Sequence, residues 1–540
     1  MEQPFRVVMP CPSPQKPHTP TRPTTVSRMI SRMSAENRLE NLPPIVKELP
    51  AELYSASAVA RLDRTAIDDF GIPGYTLMRR AGRAVFDLIR HRYPEARQIL
   101  VLCGAGNNAG DGYVVARLAH QRGLTVRVSS LVDTEKLGGD ARQACEHWLE
   151  CGAVEAFEND LLAQADVVVD ALLGTGLKRN VEGQWKQVID TLNASSTPVV
   201  AVDIPSGLNA DTGTVSGAAV IADFTVSFIG LKQGLFTASG RACCGEVLFD
   251  GLGLDEAVVQ RVDADAQLLS SLSQWRLPSR RHDSHKGQNG YALIVGGNEG
   301  MTGAVILAAR AALRSGAGLV AAVCRPQHVN AVVAACPECM VHGSHNGEIP
   351  PLLLERADYI GIGCGLGQDA WAQRLFYDAM LSTRPLVLDA DALNLLAKQG
   401  HSSLTEKCII TPHPGEAARL LGVDTADIQR DRFSAAQQLY NRYGALIVLK
   451  GSGTLIQADA KPLVCHYGNP AMATAGMGDV LTGMVTSIAA QFSNSSAVSL
   501  KQAVAAAVCS HGRAGDLAAA GDDRGLMATD VIEHIRLAMR

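Results

Sequence analysis

The sequence predicts an α/β protein of two successive domains, each with a largely parallel β-sheet. At roughly 150 residues per domain, a chain of 540 residues has room for two to four domains. Apolar residues make up 47% and charged residues 19%, a composition typical of globular proteins and not of disordered chains. Short segments rich in Val and Ile alternate with helical patterns, which is typical of βαβ units and indicates parallel sheets.

The predicted strands fall into two series separated by a junction at residues 277–283, Leu-Pro-Ser-Arg-Arg-His-Asp. The first series covers residues 99–103, 125–129, 166–170 and 198–203. The second series covers residues 291–295, 318–324, 359–363, 385–389, 408–411 and 445–449. We therefore expect one domain over residues 51–265, a linker over 266–275 and a second domain over 276–540.

Residues 1–50 are predicted to be a disordered, proline-rich extension. They hold ten of the 24 prolines and show neither helical nor strand periodicity. Five Lys and Arg residues against one Glu within residues 1–34 weakly resemble a transit peptide, but the prolines disfavour the amphipathic helix of such a peptide. An upstream start is the alternative explanation, and we expect no catalytic role.

The charge and cysteine content restrict the partners and the compartment. A formal net charge of −5 and an aromatic content of 5% argue against nucleic acid and anionic membranes as partners. The 13 cysteines are scattered through apolar stretches, as expected for reduced thiols in a cytoplasmic protein. The only Cys-x-x-Cys pair, Cys336 and Cys339, lacks a second pair for zinc, so a structural role is favoured over redox or metal chemistry.

A glycine-rich loop after the first predicted strand indicates a Rossmann-like, three-layer αβα domain. The loop, Gly104-Ala-Gly-Asn-Asn-Ala109, precedes a helix expected to start near Asp111 and loosely matches the dinucleotide-binding pattern. A dehydrogenase would carry an acid about 20 residues further on. The first acid here is Asp133, 27 residues after Gly106, so a dehydrogenase is disfavoured.

Polar residues follow three of the predicted strands in this half. Asn107, Asn108 and Asp111 follow the first strand, whereas Asp170 and Asp203 end two later ones. Carboxyl ends of parallel strands meet at one edge of a sheet, so these groups should share a crevice and hold a cation or a polar ligand. Helix N-capping is the alternative role for Asp170 and Asp203.

With these loops, residues 50–265 resemble the epimerase domain of the bifunctional NAD(P)H-hydrate repair enzymes. Ala109 departs from the glycine usual in the family's first loop. The resemblance implies that potassium is held by Asn108, Asp170 and Ser206, and that Asp203 contacts the substrate and is the candidate acid–base group. It also implies that hydrated NADH or NADPH is bound by Asn107, Asn108, Ala109, Gly110, Asp111, Gly174, Thr175, Gly176, Leu177, Lys178, Arg179, Asn180 and Asp203.

The second half contains an anion-binding loop of a different kind. The chain has no Gly-Lys dipeptide, which excludes a Walker-type P-loop. Residues 469–479 instead place Gly476 and Gly478 before an apolar helical stretch, where free backbone amides favour a phosphate. Asp479 is then positioned to activate a hydroxyl for phosphoryl transfer, and helix stabilisation is its alternative role.

Other loops follow strands at the same predicted edge. Residues 450–454 form a second glycine-rich loop, and two prolines flank His413, whose alternative role is that of a surface turn residue. Residues 363–367 and 387–394 also end strands. Asp389 or Asp391 is a candidate magnesium ligand, although helix capping explains either equally well.

Six motifs in family order make residues 276–540 similar to the ADP-dependent NAD(P)H-hydrate dehydratase domain, which has a ribokinase-like α/β fold. The resemblance implies that the hydrated cofactor contacts Ala304, Gly367, His413 and Asp479. It implies that ADP, with Mg²⁺, is held by Lys450, Gly451, Ser452, Gly453, Thr454 and Gly478. The whole chain would then epimerise the R and S hydrates of NADH and NADPH and dehydrate the S form, converting ADP to AMP and phosphate.

Three alternatives stay open at this stage. The first is a ribokinase-like kinase of a small hydroxymethyl heterocycle fused to a binding domain. The second is that the first half is a non-enzymatic interaction module, which the acids at the strand ends disfavour. The third is the dehydrogenase. We further expect small-molecule substrates, no nucleic-acid or membrane partner, and a homo-oligomer.

Overall fold

A computed structural model describes residues 49–177, 179–400, 403–493 and 495–540. The predicted disordered extension therefore lies almost wholly outside the described residues, as does Lys178 of the predicted substrate loop. Within them the strands are β1 Glu52–Tyr54, β2 Gln98–Cys103, β3 Thr125–Ser130, β4 Val154–Glu155, β5 Val167–Ala171, β6 Val199–Val202, β7 Phe224–Phe228, β8 Leu231–Lys232, β9 Glu246–Asp250, β10 Ala266–Leu269, β11 Tyr291–Val295, β12 Leu319–Cys324, β13 Met340–Gly343, β14 Tyr359–Ile362, β15 Leu386–Leu388, β16 Ile409–Ile410, β17 Leu446–Leu449, β18 Leu455–Gln457 and β19 Leu463–Cys465.

The strands form two sheets. The first has seven strands in the order β4-β3-β2-β5-β6-β7-β9, and every neighbouring pair is parallel. The second has twelve strands in the order β13-β12-β11-β14-β15-β16-β17-β18-β19-β10-β1-β8, parallel from β13 to β17. The predicted class, α/β with two mainly parallel sheets, is confirmed.

All ten strands predicted from sequence are present, with ends shifted by a few residues at most. The strand expected at 291–295 has the predicted limits, whereas the one expected at 408–411 contracts to β16, Ile409–Ile410. Central strands are apolar along their whole length because helices cover both faces. That continuous apolar pattern made them recognisable in the sequence.

Three short strands from the first half join the second sheet. β1 pairs with β10 and β8, and β10 pairs with β19 of the second half. β10 lies within the residues predicted as a linker, which are therefore not irregular in structure. The domain limits of 51–265 and 276–540 stay a prediction, but hydrogen bonding between strands crosses them.

Helices pack on both faces of each sheet. They are α1 Ala56–Arg64, α2 Gly74–Arg92, α3 Asn107–Gln121, α4 Gly139–Leu149, α5 Asp160–Gln164, α6 Gly183–Ala194, α7 Gly240–Cys243, α8 Glu256–Val259, α9 Thr302–Arg314, α10 Val329–Ala335, α11 Pro351–Arg356, α12 Ala370–Leu381, α13 Ala390–Gln399, α14 Pro414–Leu421, α15 Thr425–Arg430, α16 Arg432–Tyr443, α17 Met477–Gln491, α18 Leu500–Ala519 and α19 Ala528–Ala538. No helix among the described residues is long and apolar enough to cross a membrane.

Alternation along the strands distributes side chains between two cores on the first sheet. Val101 and Val169 pack on one face with α2, α3 and α4. Leu100 and Val168 point to the opposite face, which α6 covers. Both faces are thus buried, and the accessible part of the sheet is its edge at the carboxyl ends of the strands, where ligands bind in open α/β sheets.

Candidate functional site

A cavity of about 860 Å³ opens at the carboxyl ends of the first-sheet strands. Of the residues predicted to bind substrate, those that line this first-sheet cavity are Asn107, Asn108, Asp111, Gly174, Thr175, Gly176, Leu177, Arg179 and Asp203. Ala109 and Gly110 lie buried beside it, and Asn180 is exposed outside it. The three predicted loops therefore meet at one place, whereas the binding roles of their residues stay predictions.

The first loop belongs to a helix for more of its length than predicted. α3 begins at Asn107 and not near Asp111, so the Asn-Asn-Ala-Gly-Asp sequence forms its first turns. Gly106 is the N-cap and no side chain caps the helix, which leaves its first amides available. A Cβ at Gly110 would lie 2.5 Å from the Met78 Cε of α2 and 3.0 Å from the Ala141 Cα of α4, so the glycine lets α3 pack closely between these helices.

Asp203 forms a buried ion pair with Lys232. The Lys232 ammonium donates to Oδ1 of Asp203, and it also reaches the Ser227 Oγ at 3.3 Å and the Phe228 carbonyl at 3.0 Å. The Phe228 amide donates to the same Asp203 oxygen at 3.1 Å. Asp203 has φ of 66°, in the left-handed region that few residues other than glycine adopt. No helix starts at Asp203, so the N-cap alternative is wrong for this residue.

Two further acids line the cavity beside this pair. Burial raises the pKa of Asp63 to about 6, and the negative charge of Asp203 adds to the effect while Lys232 opposes it. Burial also raises the pKa of Asp111 well above its ordinary value, with contributions from Asp203 and Asp63. Sequence reasoning missed both Asp63 and Lys232. Asp63 is an acid on an amphipathic helix and has no local signal. Lys232 could have been noticed as a lone lysine that follows an apolar strand.

Asp170, Ser206 and Asn108 converge on the Leu173 carbonyl region. The Ser206 hydroxyl donates to Oδ1 of Asp170 at 2.5 Å, and the Ser206 amide donates to Oδ2 at 2.8 Å. Asn108 donates through Nδ2 to the Leu173 carbonyl at 3.2 Å. Burial raises the pKa of Asp170 to about 6, and the hydrogen bonds from Ser206 and Leu172 counteract it. Asp170 lies within β5, one residue before its end, and no helix follows directly, so the N-cap alternative is wrong here too.

At the second sheet, Asp479 lies in the first turn of α17. The helix starts at Met477, with Gly476 as N-cap in the left-handed region at φ 88°, which explains the glycine. Burial raises the pKa of Asp479 to about 6, whereas a hydrogen bond with Cys364 and the charge of Lys450 lower it. The nearby carboxylate of Asp389 raises it further.

Lys450 and Asp389 form the second buried ion pair. The Lys450 Nζ lies 2.6 Å from Oδ1 of Asp389 and 3.6 Å from Oε2 of Glu416. Oδ2 of Asp389 accepts a hydrogen bond from the Thr482 hydroxyl at 2.7 Å. Asp389 precedes α13, but its side chain makes no capping hydrogen bond, so capping does not explain it. A Cβ on Gly478 would lie 3.6 Å from Asp389 Oδ2, which places this glycine beside the pair.

His413 is the N-cap of α14 and not a free turn residue. Its Nδ1 accepts hydrogen bonds from the Gly415 and Glu416 amides, at 3.0 and 3.3 Å. The Glu416 carboxylate accepts from the His413 amide at 2.7 Å, which completes a capping box. Burial and the charge of Lys450 lower the pKa of His413, and its neutral form suits this cap.

Ala304 and Gly367 belong to neighbouring segments at the same edge. A Cβ on Gly365 would lie 3.0 Å from the Ala304 Cβ, and one on Gly367 would lie 2.6 Å from the Asn298 Nδ2. The Gly367 amide donates to Oδ2 of Asp391 at 2.9 Å. Asp391 therefore positions the glycine loop, and neither it nor Asp389 has a carboxylate free of protein partners.

Residues that sequence reasoning missed hold the second glycine-rich loop in place. This loop consists of Lys450, Gly451, Ser452, Gly453 and Thr454. Arg432, almost fully buried, donates to the carbonyls of Leu449 at 3.1 Å and Gly453 at 3.4 Å and to the Thr237 hydroxyl at 3.0 Å. The Ala238 amide donates to the Ser452 carbonyl at 3.2 Å. A segment of the first half thus supports a loop of the second, and no local pattern signals such a contact.

Cys336 and Cys339 are buried at the end of α10. The described residues contain no group of three or more His, Cys, Asp and Glu side chains arranged to hold a metal ion. The structural role of the pair stays a prediction.

Each half of the chain matches a known protein family. Residues 74–234 match the family model of the YjeF-related protein N-terminus, and residues 292–537 match that of NAD(P)H-hydrate dehydratase. The bifunctional NAD(P)H-hydrate repair enzyme Nnr of Coxiella burnetii is 44% identical, with 90% of this chain and 99% of the relative covered.

Two further matches cover 90% and 49% of the chain. The Escherichia coli enzyme of the same name is 42% identical, over 90% of this chain and 94% of the relative. A crystal structure of the ADP/ATP-dependent NAD(P)H-hydrate dehydratase of Bacillus subtilis is 29% identical over 49% of this chain and 93% of its own, with a TM-score of 0.43. Because the Coxiella burnetii and Escherichia coli relatives match along nearly their whole length, the chain belongs to the family of bifunctional NAD(P)H-hydrate repair enzymes.

Proposed function

We propose that this chain repairs hydrated NADH and NADPH at two separate sites. The first-sheet cavity interconverts the R and S hydrates, and the second-sheet site dehydrates the S hydrate while ADP becomes AMP and phosphate. The observation that carries the proposal is the presence of two acid clusters, one at the carboxyl edge of each sheet, in a member of this family. Self-association, a cytoplasmic location and the lack of nucleic-acid partners stay predictions.

The first-sheet cavity suits a hydrated dinucleotide in size and chemistry. The free amides at the start of α3 favour the pyrophosphate, and the glycine loop at Gly174 and Gly176 lets the ligand approach the backbone. Asp203 at the cavity wall is the group assigned to the C6 hydroxyl of the hydrate. Its ion pair with Lys232 fixes this carboxyl group at the cavity wall, within reach of a bound ligand.

Potassium fits the group of Asn108, Asp170 and Ser206 by donor chemistry. These side chains and the Leu173 carbonyl offer oxygen ligands, which hard cations prefer. Asp170 is fully buried, and no Lys or Arg in the described part of the chain forms an ion pair with it. A bound monovalent cation would supply the missing positive charge and hold the Asn108 and Ser206 loops together beside the substrate.

In the second site, Asp479 is the proposed base of phosphoryl transfer. It takes the proton of the C6 hydroxyl, and the hydroxyl oxygen attacks the terminal phosphorus of ADP as the bond to AMP breaks. Phosphate then leaves C6 with the C–O electron pair, and loss of the C5 proton restores the ring double bond. The amides around Gly478 and the Lys450 ammonium face the phosphate charge.

We infer that Mg²⁺ enters with ADP, whose phosphate charge it would neutralise. Asp389 and Asp391 already accept hydrogen bonds from Lys450, Thr482 and the Gly367 amide. In this proposal Asp389 therefore positions Lys450, and Asp391 positions the glycine loop at Gly367. Either acid can do so whether or not it also contacts the metal ion.

Incubation of the protein with hydrated NADH and ADP tests the proposed function. The expected products are free phosphate, AMP and the restored absorbance of reduced nicotinamide. The kinase alternative predicts a stable phosphorylated product and no recovery of that absorbance. Omission of ADP is the control, because it should stop dehydration while leaving the two hydrate isomers free to interconvert.

A further inference from the structure

Four of the ionisable side chains that line the first-sheet cavity lie close enough to interact electrostatically: Asp63, Asp111, Asp203 and Lys232. Asp63 stands apart from the other acids because it lies on α1, far in sequence from the loops that follow the strands. The proposed function so far assigns it no role. Three carboxyl groups around one ammonium cannot all be ionised without strong repulsion, so the cluster is suited to hold an exchangeable proton.

Lys232 is committed to Asp203. Its ammonium has three N–H donors, and Asp203, Ser227 and Phe228 provide three acceptors. The side chain is 1% exposed, so no water replaces these partners. Lys232 therefore fixes the position of the Asp203 carboxyl group and has no N–H left to donate to a ligand.

Asp63 has the opposite character. Its carboxyl group makes no hydrogen bond with any described residue, although it is partly buried and lines the cavity. Burial raises its pKa to about 6, so it exchanges a proton readily near neutral pH. Asp203 and Asp63 are thus two acids of one cavity with different surroundings, since Asp203 is fixed in an ion pair and Asp63 has no hydrogen-bond partner among the described residues.

We propose that Asp63 is the second acid–base group of hydrate epimerisation and works opposite Asp203. This inference rests on the proposed epimerase function of the cavity. Asp203 takes the proton of the C6 hydroxyl, and the O–H electron pair forms the carbonyl bond as the C6–N1 bond breaks. The electrons of that bond pass to N1, which takes the proton of Asp63.

Reclosure completes the epimerisation without any other reactant. Rotation about the C5–C6 bond turns the other face of the aldehyde toward N1. N1 attacks that face, its proton returns to Asp63, and the new C6 oxygen takes back the proton held by Asp203. Atoms and electrons balance, and both acids regain their starting states.

The test follows conversion of the pure R hydrate to the S hydrate without ADP, so that the second site is silent. Asp63→Asn keeps the size of the side chain but removes the proton, and epimerisation should slow by about 10²–10⁴-fold in kcat, with KM little changed. Asp63→Glu should recover part of the rate. Asp69→Asn, a matched change at an exposed acid six residues away, should match the wild-type rate.

ADP-dependent dehydration of the S hydrate by the same preparations reports whether each variant is folded. If the wild-type protein does not interconvert the hydrates, the proposed function fails, whatever Asp63 does. If it does, and Asp63→Asn keeps the wild-type kcat or changes KM alone, the assignment of Asp63 is overturned.

Should Asp63→Asn fail to fold, the wild-type pH profile decides. An acid with a pKa of about 6 loses its proton as the pH rises, so epimerisation should fall above about pH 6. The charged groups facing Asp63 are Lys232, Asp203 and Asp111, and the same cavity is lined by Arg64, Asp140 and Arg179. A rate that stays level or rises above that pH would overturn the proposal.

Discussion

The two sites contain the same pair of charges but use it differently. Lys232 pairs with Asp203 in the first-sheet cavity, and Lys450 pairs with Asp389 at the second sheet. In the second site the proposed base is the acid outside the pair, Asp479, whose pKa is raised to about 6. In the first site the sequence motif indicates that the paired acid, Asp203, takes part in catalysis. The acid outside this pair is Asp63, whose pKa is raised to about 6, as is that of Asp479.

This comparison separates two tasks that sequence motifs do not distinguish. The paired acid is fixed in place by an ammonium, whereas the unpaired acid, with a pKa raised to about 6, can change its protonation state near neutral pH. One acid suffices for phosphoryl transfer, since the leaving phosphate group needs no protein acid of its own. Opening and closing a ring needs a proton donor and a proton acceptor, and the first-sheet cavity has both.

The largest expected effect is that of Asp479→Asn. The variant keeps the size of the side chain but removes the base, so phosphate release in the presence of the S hydrate should fall by about 10²–10⁴-fold. ADP affinity, measured by calorimetry, should change little because the loop at Lys450 is intact. Asp522→Asn, at an exposed acid, is the control, and turnover of Asp479→Asn close to that of the control would reduce Asp479 to a helix-stabilising residue.

A change of pH should affect the two sites in opposite directions. Dehydration needs ionised Asp479, whose pKa is about 6, so its rate should fall as the pH drops through that value. Epimerisation needs protonated Asp63 and should fall as the pH rises through the same range. The test is the initial rate of each step across pH 5 to 8, a window set by the two raised pKa values, and parallel profiles would contradict the opposite roles of Asp63 and Asp479.

Loss of Arg432 should affect the second site only. Arg432→Leu removes hydrogen bonds to the Leu449 and Gly453 carbonyls, so ADP must order the loop as it binds. A cost of about 1–2 kcal/mol for the unmade hydrogen bonds corresponds to a rise of roughly tenfold in the KM for ADP. Arg430→Leu, which removes an exposed ion pair with Asp427, is the matched control. An unchanged KM in Arg432→Leu would show that the loop is ordered without Arg432.

The smallest expected effect is that of the monovalent cation. Lithium in place of potassium should slow epimerisation, because the smaller ion fits poorly among the oxygens of Asn108, Asp170 and Ser206. Dehydration, at the other sheet, should not respond. Epimerisation that is insensitive to the cation would mean that hydrogen bonds from Ser206 and the Leu172 amide stabilise Asp170 without a cation.

Sequence reasoning recovered the elements whose pattern is local. Continuous apolar runs identified the central strands, and their polar ends, such as Asp170 and Asp203, identified the edge where the loops meet. It missed Asp63, Lys232 and Arg432, whose importance depends on contacts between distant parts of the chain. It also missed the pairing of β1 and β10 with the second half, since strands of three or four residues carry too little periodicity to be assigned a partner.

Helix limits show the same dependence on context. The start of α3 was expected near Asp111, because Asn and Gly are weak helix formers. The structure begins the helix at Asn107, where the first turn packs against α2 and the loop of β5. Tertiary packing therefore overrode local propensity at the residues that line the cavity.

The central claim, that two independent sites act in turn on one cofactor, is tested most directly by mixing two inactive variants. Asp203→Asn and Asp479→Asn are each given pure R hydrate with ADP, first alone and then together. Each variant alone should fail to restore reduced nicotinamide, whereas the mixture should restore it, because the S hydrate made by Asp479→Asn is released and dehydrated by Asp203→Asn. Repair of the R hydrate by Asp203→Asn alone, or no repair by a mixture in which Asp203→Asn still dehydrates the S hydrate, would contradict the account.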